Sequence, residues 1–222
     1  MTIPAQGHEP AVPKVVPPER ADASLADLGV SAADLSAAVE RGQIAASNVT
    51  RFHPVTAAGL VRWIETVGAL RELLVRRGGW EPSDVENRPV LRHPGLGLEI
   101  AVTGGTSQTG SPRTDAHPQA ARRKGRATQQ AFRNQLTLFP APGLDLSGSP
   151  GARGRGTGGG SWFLLYHWDG EEVRMELSQP TGCIDGQFDG WITRIPLPAW
   201  VPEQDYRKAQ DVGGEDVDFE IA

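Results

Sequence analysis

The strongest constraint on the fold is a pair of short apolar runs joined by Asp169-Gly170. Residues 162–167 lead into this dipeptide and residues 173–178 follow it. In the second run apolar side chains alternate with other types, which is typical of a strand that buries one face. Asp-Gly is a preferred dipeptide in the two-residue turn of a β-hairpin. Such a turn places four cross-strand pairs on one face: Trp168 with Glu171, Tyr166 with Val173, Leu164 with Met175, and Trp162 with Leu177. All but the pair next to the turn are apolar, so this face is predicted to lie in the core.

The opposite face of this hairpin carries polar and charged side chains. The same turn gives three pairs there: His167 with Glu172, Leu165 with Arg174, and Phe163 with Glu176. A further strand at about residues 191–195 adds Arg194 to this face. Two acids, a histidine and two arginines could exchange protons or bind an anion, so His167, Glu172 and Glu176 are candidate catalytic residues. The alternative is that cross-strand charge pairs solvate the outer face of a half-exposed sheet.

The remaining patterns predict helices before the sheet and one within it. A short helix over residues 31–42 has Ser31 as its N-cap and Gly42 as its stop. A longer helix over residues 56–77 carries an apolar stripe at helical spacing: Leu60, Trp63, Ile64, Val67, Leu70 and Leu74. Residues 89–92 and 98–103 predict a first hairpin, and residues 127–135 predict a second short helix. Together they predict an α+β fold: an antiparallel sheet of about five strands, a hairpin plus a three-stranded meander, packed by an N-terminal helix and a second short helix.

Glycine and proline define the expected domain organisation. The 222 residues include 27 Gly and 18 Pro, well above average usage. Much of this excess lies in a proline-rich leader, a long loop and a glycine-rich stretch, which are typical of chain that does not join a packed core. We expect a disordered leader over residues 1–22 and one α+β domain over residues 23–202. A basic loop at 104–126 and a Gly/Pro-rich linker at 140–160 interrupt that domain, and an acidic tail spans 203–222.

The formal net charge of −5 conceals a strong asymmetry. Residues 103–160 carry a net charge of +6, whereas residues 161–222 carry −9. The candidate nucleic-acid-binding residues lie in the basic segment: Arg113, Arg122, Arg123, Lys124 and Arg126. Arginine and lysine contact phosphates without reading sequence, so we expect weak and non-specific DNA binding. The alternative is a solvated basic loop that pairs with the acidic tail.

Several site types are excluded by sequence. The stretch from Gly105 to Gly110 has the glycine spacing of a phosphate-binding loop, but Ser111-Pro112 follows where Lys and Ser/Thr are required. Cys183 is the single cysteine, and the five histidines show no paired metal-ligand spacing. The chain has neither an unbroken apolar stretch of 18 residues nor the apolar core of a secretory signal. We therefore expect a cytoplasmic protein with no metal, no cofactor and no membrane contact.

One short peptide has a sequence specific enough to indicate a binding role. Gln135-Leu136-Thr137-Leu138-Phe139 resembles the pentapeptide by which many bacterial proteins of DNA metabolism dock on the replicative sliding clamp. The resemblance covers these five residues, and Thr137 stands where the best-known versions carry serine or aspartate. It implies a sliding clamp as partner, with Gln135, Leu136, Leu138 and Phe139 as the clamp-binding residues. The alternative is that the apolar residues pack the end of the 127–135 helix onto the sheet.

These features predict a non-catalytic accessory protein of bacterial DNA replication or repair, or of a mobile genetic element. The segment from about residue 90 to 200 also resembles uncharacterised proteins carried on bacterial plasmids and integrated elements. Two alternatives stay open. One is an enzyme of unknown reaction that uses the polar face around His167, Glu172 and Glu176, and the other is a protein-interaction or oligomerisation module without DNA binding.

Overall fold

The computed structural model describes residues 12–84, 87–125, 128 and 160–202. Their helices are α1 (Pro18–Asp27), α2 (Ala32–Ser47) and α3 (Ala57–Arg77). Their strands are β1 (Lys14–Val15), β2 (Glu81–Ser83), β3 (Val90–His93), β4 (Leu98–Gly104), β5 (Gly160–Trp168), β6 (Val173–Pro180), β7 (Cys183–Ile184), β8 (Gln187–Phe188) and β9 (Trp191–Trp200). The fold is α+β, as the sequence predicts.

The sheet is larger and more mixed than predicted. Seven strands lie in the order β1-β9-β6-β5-β4-β3-β2, and β7 and β8 form a separate two-stranded hairpin. Strand β4 pairs with β5 in parallel, and β1 pairs with β9 in parallel, so the expected antiparallel sheet of about five strands is wrong. The two extra strands are the edge strands β1 and β2, which are too short to show an alternating pattern. The predicted meander of β5, β6 and β9 and the predicted hairpin of β3 and β4 are both confirmed.

The β5–β6 hairpin has the predicted faces but a different register. Trp168 pairs with Val173, so the connecting loop spans residues 169–172 and is not a two-residue turn. The Asp169 carboxylate accepts hydrogen bonds from the backbone N–H groups of Glu171 and Glu172, both at 3.0 Å, and this lengthens the turn. The register shifts by two residues, which is one full side-chain period, so each residue within the strands keeps its predicted face. Glu172 falls in the loop instead of on the polar face.

The helices follow the predicted order with two corrections. Ser31 caps α2 through its side chain, as predicted, but the helix continues past Gly42 to Ser47. Gly42 is an internal contact point because a Cβ there would lie 2.6 Å from the carbonyl oxygen of Arg62 on α3. This packing turns α3 so that Leu70 and Leu74 are buried, whereas Leu60 and Ile64 from the predicted stripe are about half exposed.

The predicted disordered leader also ends too late. Residues from Lys14 onward form β1 and α1, and Val16 and Leu25 are buried in the main core. Proline is compatible with this structure because Pro18 occupies the first helical position, where a missing N–H is tolerated. The predicted helix at 127–135, apart from helical Thr128, lies outside the described residues. So do the 140–160 linker, apart from Gly160 in β5, and the 203–222 tail.

The helices and the covering loop occupy opposite faces of the sheet. Helices α1, α2 and α3 cover one face, here called the inner face, where apolar side chains of β4, β5, β6 and β9 form the main core. Residues 105–121, here called the covering loop, lie across the other face, called the outer face. A small apolar cluster lies there: Val90, Ala101, Ala120, Phe163, Leu165, Phe188 and Trp191. Among the described residues, no helix is long and apolar enough to cross a membrane.

Candidate functional site

A fully buried ion pair lies at the centre of the outer face. Glu176 on β6 and Arg194 on β9 occupy neighbouring strands, and strand alternation directs both side chains away from the helices. The Arg194 Nη2 lies 2.6 Å from Glu176 Oε2, and Nε lies 3.0 Å from Oε1, which is the bidentate geometry of an arginine–carboxylate pair. Both side chains are 0 % exposed. The predicted placement of Arg194 on this face is confirmed.

Arg194 uses its remaining N–H groups to hold the covering loop. Its Nη1 donates to the carbonyl oxygens of Arg113 at 3.2 Å and Ala116 at 3.1 Å, and its Nη2 also donates to that of Ser111 at 3.0 Å. A guanidinium has five N–H donors, and these contacts together with the two to Glu176 use all five. Arg194 therefore joins the sheet to the loop.

The hydrogen-bond acceptor positions of the Glu176 carboxylate are also all occupied. Its Oε1 accepts from Arg194 and from the Ser178 hydroxyl at 2.8 Å, and its Oε2 accepts from Arg194 and from the Gly110 backbone N–H at 2.8 Å. A carboxylate has about four acceptor positions, so none is left for a substrate or an exchangeable proton. These contacts favour a structural role for Glu176 over the predicted acid–base role.

Two other candidates on the polar face also bind the covering loop. His167 Nδ1 lies 3.0 Å from the carbonyl oxygen of Gly105, so this nitrogen carries the proton and donates. Arg174 pairs with His167 across the strands and donates through Nη1 to the carbonyl oxygen of Ser107 at 2.8 Å. The structure thus brings His167, Arg174, Glu176 and Arg194 onto one face, and each of them contacts the same loop.

Glu172 does not join this group. It lies in the 169–172 loop, where its carboxylate is 3.8 Å from Arg174 Nε. The predicted pairing of His167 with Glu172 is wrong because the longer turn places Arg174 opposite His167. The three catalytic candidates are therefore a loop residue, a half-buried histidine and a saturated carboxylate, with the covering loop above the last two.

The far end of the covering loop is held by side chains that the sequence did not single out. The Gln119 amide donates to the carbonyl oxygen of Phe188 at 2.8 Å and accepts from the Phe188 backbone N–H at 3.0 Å. The Trp191 indole N–H donates to the carbonyl oxygen of Pro118 at 3.1 Å. Neither contact has a sequence signal, because a glutamine in a loop and a tryptophan in a strand are compatible with many partners.

The predicted DNA-contacting residues are placed in different environments. Arg122 and Arg123 are exposed, whereas Arg113 is exposed but paired with Asp115, with Nε 2.8 Å from Oδ1. Lys124 is half-buried, and its amine donates to the Thr103 hydroxyl. Burial lowers the pKa of Lys124 to about 8, against a smaller upward effect of Cys183. Lys124 is therefore not placed to contact a phosphate, and Arg126 lies outside the described residues.

The candidate clamp-binding residues also lie outside the described residues: Gln135, Leu136, Leu138 and Phe139. Docking through these residues therefore stays a prediction. The chain reaches them from Gly125 and returns at Gly160, the first residue of β5. They therefore belong to the segment of chain that connects the covering loop with β5.

A shallow groove forms elsewhere, between the start of α2 and the end of α3. It has a volume of about 440 Å³, and its lining includes Asp22, Arg77 and His93. The Arg77 guanidinium is already bound, because its Nε donates to the Asp34 carboxylate at 2.8 Å and its Nη2 to the Ser31 hydroxyl at 2.9 Å. Over the described ranges, no three His, Cys, Asp or Glu side chains are arranged to hold a metal ion.

Comparisons with protein-family models, with curated proteins and with solved structures find no match to this chain.

Proposed function

We propose that this chain is a non-catalytic accessory protein of bacterial DNA replication or repair, or of a mobile genetic element, acting in the cytoplasm. It docks on the sliding clamp through Gln135, Leu136, Leu138 and Phe139. The pentapeptide sequence carries the proposal. A glutamine amide offers both a donor and an acceptor, and two leucines and a phenylalanine supply apolar anchors for the pockets of a groove.

The length of the connection around the pentapeptide supports this role. Ala121 donates its backbone N–H to Gly104 at the end of β4, at 2.9 Å, whereas Gly160 pairs with Leu98 at the start of β4. A return along the seven residues of β4 covers roughly 20 Å, which about seven extended residues can span. Residues 122–159, which join Ala121 to Gly160, number 38, so the connection has many more residues than the parallel pairing requires. Connections of this excess length are usually functional or linker segments.

The outer face supports binding over catalysis. The enzyme alternative needs an open group of titratable side chains, but Glu176 and Arg194 are buried and their hydrogen-bonding capacity is used by each other and by the covering loop. A saturated pair of this kind stabilises a loop position and has no free proton acceptor.

Arg122, Arg123 and Arg126 would contribute the DNA contact. They precede the pentapeptide by about ten residues, so docking would bring them close to DNA held by the clamp. Their contacts to phosphate would weaken as salt increases, by a slope that scales with the number of phosphates neutralised.

The test is binding of the full chain to a purified bacterial sliding clamp, measured by surface plasmon resonance. We expect the Leu138→Ala/Phe139→Ala variant to bind at least about tenfold more weakly, because anchors in apolar pockets contribute most of the affinity. The matched control is Leu144→Ala/Leu146→Ala, which removes two leucines of the same connection outside the pentapeptide. Absence of clamp binding by the native chain, or equal losses in the two variants, contradicts the proposal.

A further inference from the structure

The turn between α2 and α3 presents an aromatic ring to solvent. Phe52 is 84 % exposed, the largest exposed fraction among the large apolar side chains of the described residues. Arg51 and Phe52 are the two central residues of a turn, which the backbone N–H of His53 closes by donating to the carbonyl oxygen of Thr50 at 3.0 Å. The backbone N–H of Thr50 donates in return to His53 Nδ1 at 3.0 Å. Two hydrogen bonds therefore hold the turn that exposes the ring.

Arg51 stacks on this ring. Its guanidinium carbon lies 5.0 Å from the centre of the Phe52 ring, within the distance of a cation–π contact. Arg51 is itself exposed, and it forms no ion pair with the described residues. The turn therefore presents two accessible groups side by side: an aromatic ring that can stack and a cation that can contact an anion.

The turn lies at the end of the sheet where β4 finishes. The Trp63 indole N–H donates to the carbonyl oxygen of Val102, near the carboxyl end of β4, at 3.1 Å. The other end of α3 leads to Gly79, where a Cβ would lie 2.5 Å from the His93 ring, and His93 pairs with Leu98 at the start of β4. Helix α3 therefore runs antiparallel to β4, and the residues that precede α3 lie past the carboxyl end of this strand.

Two more exposed arginines lie at the same strand end, on the outer face. Ala121 donates its backbone N–H to the carbonyl oxygen of Gly104, the last residue of β4, at 2.9 Å, and Arg122 and Arg123 follow directly. Both arginines are exposed, and neither belongs to an ion pair among the described residues. Unpaired cations thus lie on both sides of the carboxyl end of β4.

The acidic side chains of the neighbouring β5–β6 loop are mostly neutralised. Asp169 Oδ2 lies 3.3 Å from Arg174 Nη2, and Glu172 Oε1 lies 3.8 Å from Arg174 Nε. Glu171 is the exposed acid of this loop. Three unpaired arginines at this end of the sheet therefore face one such acid, and the balance of charge favours a polyanion.

We infer that this end of the sheet binds single-stranded DNA, with Phe52 stacking on a base and Arg51, Arg122 and Arg123 contacting phosphates. An exposed aromatic ring can stack on any base whose face is free, and the bases of a single strand offer such faces, whereas those of a duplex are stacked on each other. The inference extends the DNA contact of the proposed function and rests on it for the class of partner. It makes no use of the 135–139 peptide.

The first test is fluorescence anisotropy of the full chain with a labelled oligothymidine of about 15 nucleotides, and with its duplex with oligodeoxyadenosine. We expect the single strand to bind more tightly than the duplex. Phe52→Ala should weaken single-strand binding at least about fivefold, because a stacked base is lost. Phe52→Trp should retain this binding, whereas Phe52→Leu should not, since leucine has no ring. Val55→Ala is the matched control, because Val55 is 66 % exposed in the same connection. Equal affinities for single strand and duplex, or full binding by Phe52→Leu, overturn the inference.

The second test measures single-strand affinity as the salt concentration rises. Each phosphate neutralised on a single strand contributes about −0.7 to the slope of log K against log salt, so three arginines predict a slope of about −2. Arg122→Gln/Arg123→Gln should make the slope shallower by about 1.4. Lys14→Gln/Arg20→Gln removes two exposed cations elsewhere and should leave the slope unchanged. The same slope in both double variants contradicts the phosphate contacts of Arg122 and Arg123.

Two further measurements separate this inference from clamp docking and from a lipid partner. Phe52→Ala should leave clamp binding by surface plasmon resonance unchanged, and Leu138→Ala/Phe139→Ala should leave single-strand affinity unchanged. A native chain that binds the clamp but not the single strand overturns this inference alone. Vesicles of phosphatidylcholine and phosphatidylglycerol provide the other comparison. Vesicle binding that requires Phe52, without binding of the single strand, also overturns the inference.

Discussion

The two faces of the sheet are buried by different kinds of interaction. The inner face is covered by α1, α2 and α3 through apolar contact, with side chains such as Leu70 and Leu164 fully buried. The outer face is covered by a loop without helix or strand, which is joined to the sheet by a buried arginine, a buried glutamate and several backbone carbonyls. Hydrophobic burial is non-directional, whereas each hydrogen bond of the ion pair needs its partner at a set position.

This difference predicts how each face tolerates change. An apolar core accepts replacements of similar volume, because the stabilisation depends mainly on area removed from water. A buried charge whose partner is removed strongly destabilises the folded state, because nothing else solvates it. The outer face should therefore be the more sensitive to single substitutions of similar size.

Arg194→Leu should give the largest loss of stability. It leaves the Glu176 carboxylate buried without its counter-charge and removes the donor to three loop carbonyls, so we expect a loss of about 3–5 kcal/mol in the free energy of unfolding. Urea unfolding followed by tryptophan fluorescence measures this. The double variant Glu176→Leu/Arg194→Leu should lose less than the sum of the two single changes, with a coupling of about 2 kcal/mol or more. Additive losses would show that the pair is not the joint between loop and sheet.

Leu164→Ala tests the inner face. Leu164 is 0 % exposed and lies in the main core, so truncation should cost about 2–5 kcal/mol. One conservative replacement on each face compares the two faces more directly. Leu164→Met should cost less than about 1.5 kcal/mol because volume is conserved, whereas Arg194→Lys should retain little of the wild-type stability because lysine lacks the planar fork. Equal losses for these two conservative changes would remove the proposed difference between the faces.

The inner face could be predicted from sequence to a large extent. Alternation in residues 173–178 identifies which side chains of β6 face the core, cross-strand pairing extends this to β5, and helical spacing locates α3. The register could not be predicted, because it depends on two hydrogen bonds that the Asp169 carboxylate accepts from backbone N–H groups and that convert a two-residue turn into a longer loop. The parallel pairing of β4 with β5 is likewise not a local property of either strand.

The outer face could be predicted only in part. Strand alternation places Glu176 and Arg194 on one face, as expected, but it does not show that a loop covers them. The acceptors for Arg194 are backbone carbonyls of Ser111, Arg113 and Ala116, which every residue type carries. The sequence pattern for a covered ion pair and for an open catalytic face is therefore the same.

Lys124 should make the stability of the chain depend on pH. Its pKa is about 8 in the folded chain, mainly because burial disfavours the charged amine, and about 10.5 in the unfolded chain. Below about pH 8 the amine is protonated in both states, and the free energy of unfolding is lower than it is at high pH. Between about pH 8 and 10.5 the unfolded chain binds more protons, so stability rises with pH by on the order of 3 kcal/mol.

Lys124→Met should abolish this rise and should be more stable than the native chain at pH 7. Urea unfolding at pH 7, 8.5 and 10 measures the difference between the two chains, which cancels the titration of other groups. Lys14→Met, at an exposed lysine, is the control and should follow the native pH profile. A Lys124→Met profile parallel to the native one would show that burial of this amine does not contribute to the stability of the outer face.

The smallest effect is expected at the helix contact that supports the inner face. A Cβ at Gly42 would clash with the Thr66 side chain and lie 2.6 Å from the carbonyl oxygen of Arg62. Gly42→Ala therefore overpacks the α2–α3 contact by about 1–3 kcal/mol, while the better helix propensity of alanine recovers about 1 kcal/mol. The net loss should be about 1 kcal/mol in the free energy of unfolding, measured in urea. Gly59→Ala has open space around its Cβ and should be neutral or slightly stabilising. If Gly42→Ala also stabilised the chain, the helices would have room to move apart, and the inner face would tolerate changes in volume as well as in side-chain type.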